Sequence, residues 1–449
     1  MALTGLSIFK LLPKTNCKKC GQPTCLAFAM QLAQKKVNLS QCPDISEAGK
    51  KALEGASAPP IRLVAIGEGA KKLQVGQENV LFRHEEKFYR PPGVALTLED
   101  DLDEAAFKAR LDKINNLKFT RVGTQIEIDL VAVVNKSGKA DAFASAAQAV
   151  AGHSPLNIIL MSESPEAMKA AVAVCGAKKP LIAGATAANL DAMTAIAKAA
   201  GCAISVRANT LDELADLTQK IKAAGVEDIV LDVSNPDPKR VVQDLTKVRR
   251  AGLKRGCRPL GYPCMAVVKT ADPYEEIAQA GTFVAKYAGI VVVNGTEPWQ
   301  IIPILTLRQN IYTDPQKPIQ VEAKLYAVGE ANENSPLLFT TNFSLTYYTV
   351  EGDVEASRIP AWILAINTEG TSVLTAYSGD KLNEKIVAKA IKDAKVEEKV
   401  KHRKLIIPGY VAVMSGKLEE ELPGWEILVG PKESSVLPSY LKTVWGQQK

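Results

Sequence analysis

LVAVV at positions 130–134, NIILM at 157–161 and IVVV at 290–293 are short runs that are apolar on both faces. A strand with one wet face alternates polar and apolar residues, so such runs belong to parallel strands covered on both sides. Comparable runs fall at 80–82, 128–134, 157–161, 181–183, 203–206, 228–233, 265–268 and 290–293, at intervals of very roughly 25 residues. Amphipathic stretches lie between them, at 165–174, 188–200 and 211–224, the last with Leu211, Leu214, Leu217 and Ile221 on one helical face. Eight strand–helix units predict a (β/α)8 barrel of the TIM type, with an open parallel sheet as the competing arrangement.

Upstream of the barrel, Cys17, Cys20, Cys25 and Cys42 are spaced C-x2-C-x4-C-x16-C, and Pro43 follows the last. Three thiols within nine residues let one loop wrap three corners of a cube, and the fourth arrives after a predicted helix at 25–37. A four-cysteine set closed by Cys-Pro predicts a [4Fe-4S] cluster, although the internal spacing differs from the bacterial ferredoxin run. A four-thiolate zinc site is the competing reading, but it usually shows two C-x2-C knuckles, and only Cys17 and Cys20 form one. A disulfide framework would require an oxidising compartment. Cys175, Cys202, Cys257 and Cys264 lack ligand spacing and are expected to be buried thiols.

Length and composition narrow the classes. The 449 residues predict about three domains, and 47% hydrophobic with 23% charged residues is ordinary for a globular protein. No run approaches the ~20 apolar residues of a membrane span, and the N-terminus lacks a secretory apolar run, so no membrane association and a cytoplasmic location are expected. Residues 1–60 hold eight lysines against three acids, a net of +5. With no arginine and only Phe9 and Phe28 as aromatics, this segment does not predict nucleic-acid binding. Lys18 and Lys19 would instead offset the negative charge of a thiolate-held cluster and favour its reduced form. Lys35, Lys36, Lys50 and Lys51 read equally well as a solvated face. A helix at 3–12 ends at Pro13, and GASAPP at 55–60 reads as a linker. The expected domains are therefore 1–57, 58–317 and 318–449.

The predicted barrel strands end in Asn135, Ser162, Glu163, Arg207, Asn209, Asp232, Ser234, Asn235 and Asn294, where a barrel enzyme would place its chemistry. No phosphate loop, metal triad or nucleophile–histidine set accompanies them, and His84, His153 and His402 lie far apart. A barrel used for packing and docking is the favoured reading.

From 318 onward a second α/β pattern begins, with strands expected at 337–341, 361–366, 372–376, 405–407 and 426–429 and helices at 345–354 and 382–394. Its strand-to-loop transitions are rich in Gly, Ser and Thr. Loops of that composition at the carboxyl edge of an open sheet form a ligand crevice, and ordinary capped turns are the bland alternative.

In TNCKKCGQPTC at 15–25, SQCPD at 40–44, LLFTTNFSLTYY at 337–348, NTEGTSVLTAYSGD at 367–380 and LIIPGYVAVMSG at 405–416, the chain resembles the corrinoid iron-sulfur protein large (gamma) subunit family of the acetyl-CoA pathway. The resemblance implies a methyl carrier with a [4Fe-4S] cluster domain, a TIM-type barrel and a C-terminal Rossmann-like corrinoid-binding domain. It implies a cobalt(I) centre that takes a methyl group from methyltetrahydrofolate on a separate methyltransferase and passes it to the nickel cluster of acetyl-CoA synthase. The cluster would reactivate cobalt(II), and a small subunit would complete a heterodimer. On the matching segments, Thr340, Thr346, Gly370, Thr371, Ser372 and Val373 become expected corrinoid contacts, with Gly409, Gly430, Ser435 and Val436 beside them. No Asp-x-His-x-x-Gly motif is present, so a base-off corrinoid without a protein histidine ligand is expected. The cobalt itself would be the nucleophile, and no catalytic acid or base is assigned. The competing functions are a pterin-dependent methyltransferase acting through the barrel, with Asp232, Asn209 or Asn294 on the pterin, and a plain iron-sulfur electron-transfer scaffold.

Overall fold

The structure, a computed structural model, describes residues 5–33, 37, 39–46, 49, 59–314 and 318–445. The linker expected at 55–60 falls outside the described residues as far as 58, as do Lys35, Lys36, Lys50, Lys51 and the domain boundary at 57. The chain divides into two compact units, 1–119 with 127–312, and 120–126 with 313–449.

The first unit opens with helices Gly5–Leu11 and Cys25–Ala33, packed on each other through Ile8, Leu12, Phe28, Ala29 and Leu32. A short antiparallel hairpin follows, β1 (Val64–Ile66) and β2 (Leu73–Val75). Next come β3 (Gly93–Glu99), then β4 (Lys118–Arg121) and β5 (Thr124–Glu127), a small hairpin whose residues 120–126 group with the second unit, and then β6 (Leu130–Val134), β7 (Asn157–Met161), β8 (Leu181–Ala185), β9 (Ile204–Arg207), β10 (Ile229–Asp232), β11 (Cys264–Val267) and β12 (Ala288–Val293). Strands β3 and β6 to β12 pair in parallel with their neighbours, and β12 returns to β3 with Ile290 opposite Gly93, closing an eight-stranded barrel.

Local chemistry sets the helices of this barrel. Ser164-Pro165, Asp237-Pro238 and Asp272-Pro273 each place a capping side chain before a proline that needs no N–H in the first turn. Leu214, Leu217 and Ile221 of helix Leu211–Ala223 are buried against the strands as their spacing predicts, and Leu211 is half-buried. The barrel interior is filled by Ala95, Leu130, Ala132, Ile159, Leu181, Val230, Met265 and Val292. Fully burying each large member contributes about 1.5–3 kcal/mol. Val64, Ile66 and Val75 join the same cluster, and the Asn157 amide donates to the Lys71 carbonyl at 2.9 Å. The β1–β2 hairpin thus plugs the barrel where the strands begin.

One barrel strand expectation is corrected. Positions 80–82 are coil: Val80 and Leu81 are apolar because they pack, while Phe82 is exposed and stacks on His84. The eighth strand is β3, whose entry through Pro91-Pro92-Gly93 reads as a loop in sequence. Among the other middle cysteines, Cys175, Cys202 and Cys264 are buried, but Cys257 is only half-buried. Burial pushes the Cys175 and Cys264 thiols up to about 12.

The second unit carries β13 (Leu325–Val328), β14 (Leu337–Thr341), β15 (Ala361–Ile366), β16 (Lys404–Ile407) and β17 (Glu426–Val429), in the order β13–β15–β14–β16–β17. All pair in parallel except the edge strand β13, which runs antiparallel to β15. Alternate residues cover opposite faces. Leu337, Phe339, Leu364, Ile366, Leu405 and Ile407 pack with Val387, Ile391 and Leu418, while Leu338, Ile363, Ala365 and Ile406 pack with Tyr347, Val354, Leu437 and Leu441. This is a doubly wound sheet with helices on both faces. The strand expected at 372–376 is instead helix Val373–Ser378, with Ser372 at its N-cap. The β-branched Val373 and Thr375 imitate a strand, but the Ala376 amide bonds the Ser372 carbonyl at 2.7 Å and turns the chain. Among the described residues no helix is long and apolar enough to cross a membrane.

Candidate cofactor sites

Cys17 and Cys20 sit on the loop between the first two helices, Cys25 opens helix Cys25–Ala33, and Cys42 follows the 3-10 turn Leu39–Gln41. The loop is bent by left-handed residues at Lys14 (φ 59°), Asn16 (φ 47°), Lys18 (φ 60°) and Gly21 (φ 77°). Asn16 turns this strain to use, since its side-chain oxygen accepts the Cys25 amide at 2.8 Å, a donor that the first turn would otherwise leave orphaned. All four thiols are free, and Cys25 and Cys42 are buried against the apolar floor formed by Ile8, Phe28 and Leu32.

Burial raises the Cys42 pKa; the Asp44 amide, hydrogen-bonded to it, works the other way, and Cys20, Cys25 and Cys17 stand near enough to add to the rise. Among the described residues no three His, Cys, Asp or Glu side chains close on the spacing of a single ion. Cys20, Cys25 and Cys42 share one apolar floor and Cys17 stands near enough to act on Cys42, a donor set that fits a cluster, whose ligands occupy separate corners of a cage. Lys19 is tied to Asp44 at 3.0 Å, an exposed pair in which each partner favours the other's charged form, so part of its charge is already balanced.

The barrel's strand-end residues largely satisfy one another. Asn135 donates to Ser162 at 2.9 Å, Arg207 pairs with Glu163, and Ser234 donates to Asp232. Asn294 accepts from Thr97 at 2.6 Å and from Arg110 at 2.9 Å. Asn209, Asp232, Ser234 and Asn235 share a polar cavity of about 300 Å³, whereas Asn294 is not in its lining. None of the three histidines lines it.

In the second unit the strand order reverses between β14 and β16: β15 lies on one side of β14 and β16 on the other. Outside the carboxyl ends of strands at such a switch point, adjacent connections leave in opposite directions and open a crevice. A cavity of about 340 Å³ lies there, lined by Thr340 of β14, Ile407 and Pro408 at the end of β16, Thr346 of helix Ser344–Ser357, Ser372 and Val373, and Gly430. Its lining is mainly apolar with a few hydroxyls, the composition of a small-molecule site. The Thr340 hydroxyl, on a residue 2% exposed, has no hydrogen-bond partner among the described residues. Leu345, Leu374 and Tyr410 leave large apolar surface exposed at the same cavity.

Of the residues singled out from sequence, Thr340, Thr346, Ser372, Val373 and Gly430 line this cavity. Thr371 turns its hydroxyl to the Thr368 carbonyl at 2.7 Å, and a Cβ on Gly370 (φ 74°) would meet Gln320 and Pro318. A Cβ on Gly409 would stand 2.6 Å from the Gly430 carbonyl, so Gly409 serves backbone packing. Ser435 and Val436 are exposed next to the lining residue Ser434. Pro408 and Tyr410, on a loop expected at the crevice, line it too, whereas Leu345, Ile407 and Lys432 line it without having been singled out, since an apolar residue near a core carries no sign of which face it serves and a lysine reads as solvated surface. His402 is held by the Ser335 carbonyl at 2.9 Å and packs edge-on to Trp445, away from the lining.

A family described as "CO dehydrogenase/acetyl-CoA synthase delta subunit" matches residues 63–441, and one described as "Putative Fe-S cluster" matches residues 12–43. The chain is 45% identical to the corrinoid/iron-sulfur protein large subunit of Moorella thermoacetica, covering 98% of this chain and 99% of that one. It is 38% identical, over 98% and 99%, to the acetyl-CoA decarbonylase/synthase complex subunit gamma of Methanothermobacter thermautotrophicus. Among solved structures, 7,8-dihydropteroate synthase from Vibrio fischeri ES114 aligns with 49% of this chain and 93% of that one, at 13% identity and a TM-score of 0.40. Both relatives are matched over nearly their whole length and the first family spans most of this chain, so the chain belongs to the family of corrinoid/iron-sulfur protein large subunits and acetyl-CoA decarbonylase/synthase gamma subunits.

Proposed function

We propose that this chain is a methyl-group carrier of the cytoplasm. It holds a base-off corrinoid in the C-terminal crevice and a [4Fe-4S] cluster on Cys17, Cys20, Cys25 and Cys42. It works with a small subunit, between a methyltetrahydrofolate methyltransferase and acetyl-CoA synthase, and its three working parts are 1–57, 58–317 and 318–449. Bound there, a corrinoid supplies a low-valent cobalt nucleophile for one-carbon transfer, and the cluster supplies the electron that returns oxidised cobalt to use.

The chain's own residues bind and orient. The apolar walls of Leu345, Val373 and Leu374 exclude water, and the Thr340 and Thr346 hydroxyls meet polar edges of the ligand. A corrin ring is larger than the cavity, so the crevice takes part of the ligand and the exposed rim receives the rest. The cysteines hold the cluster against Phe28 and Leu32, and a reducing compartment keeps their thiols free. The observation that carries this reading is the unpartnered Thr340 hydroxyl inside an apolar crevice at the strand-order reversal of a chain whose relatives bear the corrinoid name.

Anaerobic isolation followed by metal analysis tests it. About four iron and one cobalt per chain is the expected outcome, given a single four-cysteine set and one crevice. Zinc in place of iron, or no cobalt after incubation with aquocobalamin, would overturn it.

A further inference from the structure

Asn342 stands immediately beyond β14 and is 2% exposed. Its side-chain oxygen accepts the Thr368 amide at 2.9 Å, the Thr368 hydroxyl at 3.3 Å and the Gly370 amide at 3.2 Å. Its side-chain nitrogen donates to Gln320 Oε1 at 2.9 Å and Asn367 Oδ1 at 3.4 Å. Both donors and the acceptor are thereby used, and the orientation follows from the partners, because the reverse would set an NH2 against two amide N–H groups. The main chain is equally engaged: the Asn342 amide bonds the Ile366 carbonyl at 2.8 Å, and its carbonyl accepts Val321 N–H at 2.9 Å.

The side-chain bonds to Asn367, Thr368 and Gly370 all fall on the loop 367–372, which leaves β15 and delivers Ser372, Val373 and Leu374 to the crevice, while those to Gln320, Val321 and Ile366 anchor Asn342 itself. The loop needs support. Glu369 (φ 56°) and Gly370 (φ 74°) are consecutive left-handed residues, a conformation that costs a residue with a Cβ about 1 kcal/mol or more. On its outer side the loop is held by the Glu369–Lys381 ion pair, but both partners are exposed and such pairs contribute little. On its inner side three hydrogen bonds to a buried amide do the holding. Asn342 does not itself line the cavity.

We propose that Asn342 is a positioning residue. It shapes the crevice wall made by Ser372, Val373 and Leu374 by holding the left-handed turn at Glu369 and Gly370, and so sets affinity for the corrinoid without touching it. The proposal rests on the crevice being the corrinoid site, and its test separates the two.

Full-length wild type, Asn342→Ala and Asn342→Asp are compared by hydrogen exchange over 367–373, by titration with aquocobalamin and by iron content. Aspartate keeps the acceptor that the Thr368 and Gly370 amides require. Losing bonds worth about 1–1.5 kcal/mol predicts that Asn342→Ala exchanges its Thr368 and Gly370 amides about tenfold faster and binds aquocobalamin about tenfold more weakly, with iron unchanged. Asn342→Asp keeps that acceptor but turns its other oxygen to Gln320 Oε1 and Asn367 Oδ1, so its Thr368 and Gly370 amides should exchange more slowly than in alanine without reaching wild type. Unchanged exchange in Asn342→Ala overturns the proposal, as does faster exchange with unchanged affinity. If wild type takes up no aquocobalamin, the crevice reading and the affinity role fall together, and the exchange rates still decide whether Asn342 holds the loop. Should Asn342→Ala not fold, Asn342→Ser, which keeps one polar atom at the site, carries the same comparison.

Discussion

The Cys25 amide donates to the side-chain oxygen of Asn16 at 2.8 Å, so the left-handed turn before the first thiol is tied to the residue that presents the third. One hydrogen bond therefore couples loop shape to thiol placement. Asn16→Leu loses the acceptor and places a branched residue at φ 47°. Reconstituted iron per chain should fall and the cluster should bleach faster in air, while Asn16→Asp keeps both near wild type. Equal iron in the leucine variant would count against the coupling.

Cys20→Ala removes one of four proposed ligands while leaving the buried Cys25 and Cys42 in place. The variant should lose or convert its cluster and fail in reductive reactivation, yet still accept a methyl group when reduced beforehand. Reactivation at the normal rate would falsify the redox role.

Thr340→Val tests the orphan hydroxyl in two directions. A buried hydroxyl without a partner costs about 1–3 kcal/mol, so the isosteric valine should leave the ligand-free chain as stable or more stable. Aquocobalamin affinity should drop at the same time. If thermal midpoint and affinity fall together, the hydroxyl is serving the fold instead.

Gly409→Ala puts a methyl group 2.6 Å from the Gly430 carbonyl and 2.8 Å from the Lys432 amide nitrogen, where only backbone can yield. Overpacking of this kind costs roughly 1–3 kcal/mol. The urea midpoint of the C-terminal unit should fall accordingly, with iron content untouched. A midpoint at the wild-type value would mean that the two segments move apart freely.

Burial holds the His402 pKa below the ordinary histidine value, with Lys404 acting in the same sense and the hydrogen bond to the Ser335 carbonyl opposing. The unfolded chain then takes up its proton at higher pH than the folded one. The stabilisation from neutral His402 is whole above the unfolded value near 6.5, shrinks as pH falls below it, and is lost through the folded value. Urea midpoints should decline more steeply between pH 7.5 and 5.5 for wild type than for His402→Gln. Parallel declines would assign the pH dependence to other groups.

Much of the architecture was legible because its cause is local. LVAVV and NIILM announce covered strands, and the spacing of Leu214, Leu217 and Ile221 announces a helix at 211–223. The legibility fails where two tendencies compete. Pro91-Pro92-Gly93 hid β3 behind turn chemistry, and the β-branched residues near Ser372 hid a helix. At the crevice, Thr340, Thr346, Ser372 and Gly430 stood out by composition, whereas Leu345 and Ile407 looked like core.

The order of residues by itself determined the strand and helix periods and the thiol spacing, because each is written in positions a few residues apart and follows from backbone geometry. Only the tertiary structure decided that β16 pairs with β14 and not with β15, which brings Thr340, Val373, Ile407 and Gly430 around one cavity. That choice depends on which faces the crossover helices can cover, a property of packing between distant segments that no local pattern encodes.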